Sequence, residues 1–517
     1  MLVKTYGGAL RGIDAIQVTI EVSVTRGTMF TIVGLPDTAI KESGERVRSA
    51  ITETGLDFPR QSIVVNLAPA DVRKEGSAFD LPIAMAILAA SDRIKAPDID
   101  KYMIMGELSL DGSVMPIKGV LPIAIAARAA GFKGMIVPSA NAHEAAVVNN
   151  LEVYGVDKLL DVINFFVGQT VLTPTVVDTR AEFAAAINNI DLDFKDVKGQ
   201  ENVKRAFEVA CAGGHNILLV GPPGAGKSMM AKRLPSIMPP FTLAEALETT
   251  KIHSVAGKLS RGSRLMTVRP FRSPHHTISP VALVGGGSNP VPGEISLAHN
   301  GILFLDEFPE FSRPVLEVLR QPLEDRTITV SRAKYTVDYP AGFMLVASMN
   351  PCPCGYYNHP TKACTCQPGA VAKYKNRISG PLLDRIDIQV EILPVPFEKL
   401  SSAEDGEPSD SIRQRVVKAR ELQERRFAGE PGIHTNAQMN SRLLKKFCTL
   451  GEAAMNRLRF AMEKYNMSAR AYDRILRVSR TIADLDGSEE IQPAHVAEAI
   501  GYRNLDRDSW GATTSLL

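Results

Sequence analysis

The octapeptide Gly221-Pro222-Pro223-Gly224-Ala225-Gly226-Lys227-Ser228 matches G-x-x-x-x-G-K-[ST] at every fixed position. Asn216 to Val220 before it is an apolar run of strand length, and Met229 to Leu234 after it reads as a helix. Strand, glycine loop and helix are the context in which this pattern cradles phosphate. The glycines let the backbone wrap tightly, so several N–H groups face one anion. The helix that follows adds its positive N-terminal end. Lys227 would reach the β- and γ-phosphates of a nucleotide, and Ser228 would hold Mg²⁺. A second nucleotide element is expected downstream. Ile302-Leu303-Phe304-Leu305-Asp306-Glu307 supplies it, as an apolar strand ending in two carboxylates. Asp306 would orient Mg²⁺ and Glu307 would activate the attacking water.

At 517 residues, length alone predicts about three domains. Hydrophobic content of 45% and charge of 22% describe a globular chain with an ample core. A net charge of +2 means that any nucleic-acid binding must come from local patches. Met1 to Gly7 lacks a basic-then-apolar signal pattern, and no apolar run approaches 18 residues. A cytoplasmic, non-membrane location is therefore expected. Four of the six cysteines fall between 352 and 366. In a cytosolic chain that clustering points to metal before disulfide.

Residues 1–165 read as a mixed α and β domain. Ile16 to Val22 alternates as a half-buried strand, and Ser62–Leu67, Tyr102–Leu108 and Gly134–Pro138 are further strands. Ala78–Ala90 and Leu121–Ala130 are apolar helices. Gly106-Glu107-Leu108-Ser109-Leu110-Asp111-Gly112 to Ile117, followed by Ala129-Ala130-Gly131-Phe132, resembles the proteolytic domain of Lon proteases. That resemblance implies a serine nucleophile and a lysine base. Ala78 stands at the serine position and Leu121 at the lysine position, with Ser77 and Lys118 displaced nearby. A Ser–Lys pair works only within hydrogen-bond reach, so a Lon-like fold without peptidase activity is expected.

Residues 166–191 form a linker with a short helix. Asp196-Val197-Lys198-Gly199-Gln200 resembles the opening segment of AAA+ ATPases, and an α/β motor core would run over 192–396, with a helical lid over 397–517. In that family's order, Phe343–Asn350 is a strand that brings Asn350 to the sensor-1 position. Gly380-Pro381-Leu382-Leu383-Asp384-Arg385-Ile386-Asp387 matches the segment that presents an arginine finger to a neighbouring subunit, with Arg385 the finger and Arg377 a second candidate. A salt bridge of Arg385 to Asp384 or Asp387 is the competing reading. Arg470, near the start of a lid helix, matches the sensor-2 arginine. A finger acting in trans implies a ring.

Lys227 and Asp306 lie 79 positions apart, long for this fold. The insert holds Arg269–His276, Val284–Gly287 and Pro292–Gly301, and resembles that of the magnesium-chelatase motor subunit and of MCM helicases. No acidic partner stands at ligand spacing from His275-His276, which reads as structural or substrate-facing. Arg326–Val337 reads as a hairpin with a basic tip. Arg332 and Lys334 would contact DNA phosphate there, although a solvated turn has the same pattern. Cys352-Pro353-Cys354 and Cys364-Thr365-Cys366 offer four thiolates, the number for structural Zn²⁺, with His359 as an alternative ligand. Four reduced thiols in a loop is the other reading.

Taken together, the order of these motifs resembles the ComM/YifB family of magnesium-chelatase-like ATPases over nearly the whole chain. The resemblance implies an α/β fold, an AAA+ P-loop NTPase core with helical lid preceded by a Lon-protease-like α+β domain. It also implies ATP and Mg²⁺ as ligands, single-stranded or branched DNA as partner, and a homo-oligomeric ring, a hexamer. The activity implied is a DNA helicase promoting branch migration during natural transformation. The alternative is a chelatase-type motor remodelling a metal-insertion partner.

Overall fold

Alternating strands and apolar helices assemble into two units in the computed structural model. It describes residues 2–179, 183, 192–259, 265–287, 290–332, 335–395 and 405–503. The first unit is Met1–Ile187 with Thr242–Thr267; the second is Asn188–Phe241 with Val268–Leu517.

The first unit is built on a seven-stranded sheet. Its order is Phe30–Val33, Ser62–Ala68, Asp14–Thr25, Leu2–Arg11, Tyr102–Ile104, Gly134–Pro138, Glu152–Val156. The long strands Leu2–Arg11 and Asp14–Thr25 form an antiparallel hairpin, and the last four strands in this order run parallel. Successive strand residues face opposite sides of a sheet. Accordingly Ile104 and Ile136 enter one apolar cluster while Met103, Met135 and Val137 enter another. Helix Asp80–Ala90, buried at every residue, fills the first cluster, and helix Val120–Ala129 fills the second. The single strand expected over Tyr102–Leu108 is broken. Gly106 turns its N–H to the Ala78 carbonyl, and Glu107–Leu108 pairs instead with Val114–Met115.

Ala78 and Leu121, at the positions where a Lon-type dyad would stand, both belong to the second apolar cluster. Leu121 is fully buried, and the aliphatic stem of the displaced Lys118 runs past Gly257.

Thr242–Thr267 differs from the sequence boundaries, which placed it inside the motor core. The chain leaves the second unit after Phe241 and returns at Val268. The intervening helix Leu243–Val255 begins with a capping box between Thr242 and Glu245. Leu247 and Leu265 pack on the cluster that holds Leu121. Glu144 is buried and accepts hydrogen bonds from the Leu121 N–H (3.1 Å), from Asn141 (3.2 Å) and from the Ser254 hydroxyl. The Ser254 carbonyl in turn accepts from Gly119 N–H at 3.1 Å. Glu144→Ala leaves buried donors unpaired on both sides of this seam. We expect a loss of about 2–4 kcal/mol, read as a lower urea midpoint. An unchanged midpoint would show that the segment is held by other contacts.

The second unit carries a five-stranded parallel sheet ordered Phe271–Arg272, Ile302–Leu305, Met344–Met349, Ile217–Val220, Ile388–Glu391. Its three central strands, Ile302–Leu305, Met344–Met349 and Ile217–Val220, are buried at every residue, as a sheet covered on both faces requires. The lid helices Ser409–Phe427, Ser441–Phe447, Glu452–Lys464, Ala469–Leu485 and Pro493–Gly501 contribute Val416, Leu443, Leu458, Ile482 and Val496 to the same apolar cluster as Ile217, Phe304 and Val346. Lid and sheet therefore share one core.

Candidate nucleotide site

Strand register assembles the site. Val220 pairs with Met349 and Leu305 pairs with Ala347. The next residues along, Gly221, Asn350 and Asp306, must then emerge together at the carboxyl edge of the sheet, where open α/β folds bind ligands. Ser228 donates to Asp306 Oδ2 at 2.5 Å, and Ser348 donates to Asp306 Oδ1. Lys227 is the first residue of the short helix Lys227–Ala231. Its ammonium donates to the Gly221 carbonyl (2.7 Å), the Pro222 carbonyl (2.9 Å) and Asn350 Oδ1 (3.1 Å). Burial pushes the Lys227 ammonium below its ordinary pKa, opposed by the charges of Asp306 and Glu307.

The loop fits a phosphate group. Gly224 and Gly226 have φ of +78° and +85°, which favours glycine at both. A Cβ at Gly224 would meet nothing within 4 Å, so the space beside the loop is open there. Pro223 and Gly224 are exposed, while Gly221 and Lys227 are buried. Ser228 and Asp306 present adjacent oxygens, the hard donors that Mg²⁺ takes.

Glu307 sits in the left-handed region (φ +53°) with its side chain 57% exposed. Its Oε2 lies 3.4 Å from His276 Nδ1. Sequence spacing had set His275-His276 apart from the chemistry for want of an acidic partner. The fold supplies Glu307, because strand Phe271–Arg272 lies parallel to Ile302–Leu305 and both chains exit at the same edge. The two imidazoles lie 4.1 Å apart between centroids, tilted by 34°.

The same arrangement is matched by family profiles along most of the chain. Residues 193–400 match "Magnesium chelatase, subunit ChlI", residues 20–141 match "Subunit ChlI of Mg-chelatase", and residues 406–503 match "Magnesium chelatase, subunit ChlI C-terminal". The Competence protein ComM of Haemophilus influenzae is 44% identical over 510 residues, 98% of each chain. YifB of Escherichia coli, an uncharacterised protein, is 43% identical over 504 residues, 96% of each. The chain belongs to the ComM/YifB family of magnesium-chelatase-like AAA+ ATPases. A Lon protease of Halothermothrix orenii is 33% identical over 130 residues, 24% of this chain and 16% of that protein. Membership in this AAA+ family implies ATPase activity, with ATP and Mg²⁺ as ligands.

The candidate arginines of the ComM/YifB site are each held by a partner other than Asp306 or Glu307. Arg385 donates to the Pro381 carbonyl at 2.7 Å and pairs with Glu324, neither Asp384 nor Asp387 being its partner. Its Nε is buried without a partner. Arg377 makes two 2.8 Å bonds to Glu310. Arg470 is 64% exposed, 3.4 Å from Asp384, in the first turn of Ala469–Leu485. The acid Asp387 instead receives Arg474 at 2.7 Å and His215 at 3.1 Å. Against the effect of its burial, Arg474 and His215 hold Asp387 far below the usual carboxylate range. His215 also reaches Thr481 on the lid helix at 2.8 Å, and Asn216 bonds the Leu345 N–H and the Arg385 carbonyl. None of these buried links had a sequence signal beyond the position of His215-Asn216 just before the loop strand.

The basic hairpin forms, with Thr327–Arg332 antiparallel to Tyr335–Pro340. Lys334 lies outside the described residues, and for Arg332 only the backbone is described. The four clustered cysteines come together, their sulfurs within 4.8 Å of one another. His359 is not among them: its Nδ1 accepts from the Thr361 and Lys362 N–H groups. No helix in the described residues is long and apolar enough to cross a membrane.

Proposed function

We propose that this chain is the subunit of a homo-oligomeric ring, a hexamer, that hydrolyses ATP to move along single-stranded or branched DNA. In this reading it promotes branch migration when incoming DNA recombines during natural transformation, in the cytoplasm. The observation that carries the motor assignment is the convergence of Lys227, Asn350, Ser228 and Asp306 on one sheet edge, with Glu307 beside them. Lys227 and the amides of Gly221–Ser228 bind the triphosphate, Ser228 and Asp306 hold Mg²⁺, and Mg²⁺ neutralises charge on the phosphates when bound. Asn350 positions water and Glu307 accepts its proton. His276, paired with Glu307, holds that carboxylate to one side until substrate recruits it. Arg385 and Arg470 serve as finger and sensor 2.

DNA as partner is supported by the Competence protein name of the 98%-covering relative, since competence is the state in which cells take up DNA. It is supported also by the basic sequence at the hairpin tip. The first unit, in this reading, assembles or positions the ring and hydrolyses no peptide bond, Ala78 and Leu121 having replaced a dyad with packing. The cysteine cluster holds a structural Zn²⁺.

Arg332→Ala/Lys334→Ala tests the DNA assignment. We expect the slope of log affinity against log salt to become shallower by roughly 1.4 on single strands, with loss of DNA-stimulated turnover. A double variant with unchanged slope and unchanged unwinding of forked DNA removes the hairpin from the DNA path. The family profiles' chelatase description favours a second reading, a motor that remodels a metal-insertion partner. Wild-type protein that neither binds nor unwinds DNA, yet hydrolyses ATP, would support it.

A further inference from the structure

The residues from Pro351 to Pro368 contain no helix or strand, yet they follow Asn350 directly and reach the phosphate loop at Pro223. Cys352 follows two residues after Asn350, whose side chain holds Lys227. Gly355 is buried with φ +83°, and a Cβ there would come within 2.5 Å of Cδ and 2.8 Å of Cγ of Pro223, in the middle of the phosphate loop. The turn from Cys352 to Gly355, closed by Gly355 N–H on the Cys352 carbonyl at 3.0 Å, is therefore seated directly on the loop.

The turn carries two members of the thiol cluster, Cys352 and Cys354. Sγ–Sγ distances are 3.3 Å for Cys352–Cys354, 3.8 Å for Cys352–Cys364 and 3.6 Å for Cys354–Cys364, and Cys366 completes the group. All four are free thiols. A tetrahedron with Zn–S of about 2.3 Å has edges of about 3.8 Å, so this spacing suits one ion. A polynuclear iron–sulfur core would spread the sulfurs farther. Backbone amides of Tyr356 and Thr365 donate to Cys354, and that of Tyr357 donates to Cys352. Such amide donors are the outer shell that thiolate ligands require. Cys352 is buried while the other three are half-buried, so a chelator can reach the site.

We propose that a Zn²⁺ held by Cys352, Cys354, Cys364 and Cys366 braces the phosphate loop through Gly355 and Pro223, and that nucleotide affinity depends on its occupancy. This rests on the zinc reading above and adds a consequence that zinc binding alone does not require. Four thiolates fixed on one ion lock the Cys352–Gly355 turn, and the turn fixes Pro223 and the end of the Asn350 strand. Metal binding supplies the folding free energy of a segment without regular structure.

The test uses the full chain. Metal content is measured on the purified protein, Co²⁺ is substituted to read thiolate charge-transfer bands, and a fluorescent ATP analogue reports affinity with and without a chelator. One Zn²⁺ per chain and a tetrahedral thiolate Co²⁺ spectrum are expected. Nucleotide affinity should fall tenfold or more on metal removal and return on Zn²⁺ addition. Gly355→Ala reads the brace without removing metal: it should keep the Co²⁺ spectrum and still bind nucleotide tenfold more weakly. Absence of stoichiometric metal together with no thiolate Co²⁺ spectrum overturns the zinc reading. Metal present, with affinity unchanged both by its removal and in Gly355→Ala, overturns the brace and leaves the zinc reading standing.

Discussion

Lys227→Ala lowers ATP turnover by about 10²- to 10³-fold, the effect of removing one preorganised donor from a site of developing charge. Lys227 is buried, and its ammonium is fixed by three bonds to Gly221, Pro222 and Asn350. The truncation also leaves those acceptors without their donor, at a cost of about 1–3 kcal/mol, and a melting curve must accompany the assay. Glu307→Gln separates chemistry from binding. It keeps the size of an exposed side chain, so ATP affinity should stay near wild type while turnover falls by about 10²- to 10⁴-fold. A Lys227→Ala protein that melts like wild type and retains a third of its turnover would move catalysis away from this loop.

Arg385→Ala lowers turnover by about 10³-fold with nucleotide affinity unchanged, the lower end of what an arginine finger contributes. Within one chain the Arg385 guanidinium is held by Pro381 and Glu324, not by the groups around Lys227. If it acts on a neighbour's nucleotide, Glu324 must release it on assembly. The discriminating measurement mixes two inactive proteins. Lys227→Ala subunits still offer Arg385, and Arg385→Ala subunits still offer an intact loop, so mixed rings regain a fraction of turnover. Specific activity of wild type should also rise with protein concentration. Mixtures that stay inactive under conditions where wild-type subunits associate would leave Arg385 as the structural partner of Glu324.

Much of the nucleotide site was legible in the chain because each piece is local. A glycine loop needs its glycines at fixed offsets, and a strand ending in Asp306-Glu307 announces itself within six residues. The hairpin was legible for the same reason, its alternation surviving in the Thr327–Pro340 pairing. The four cysteines were visible as ligand types, while the gathering of their sulfurs within 4.8 Å of one another was not. The pairing of His276 with Glu307 has no local signal, because the two are 31 positions apart and only parallel pairing of two strands brings them to one edge. Arg385 was given two acids beside it in sequence, yet those acids are claimed by Arg470 and Arg474.

Periodicity and fixed-offset motifs were enough to mark the α/β class, the phosphate-loop pattern and the motif order that resembles the ComM/YifB family, because these depend on residues within one turn or one strand. Register and packing decided the rest. Strand pairing made neighbours of Lys227 and Asn350, which lie 123 positions apart, and of Ser228 and Asp306, 78 apart. Packing took Thr242–Thr267 out of the ATPase unit and set Ser254 on Glu144 and Leu247 on the cluster that holds Leu121. It also seated Gly355 on Pro223. Such choices turn on the shape and polarity of surfaces formed by distant segments, and those surfaces exist only once the chain has folded.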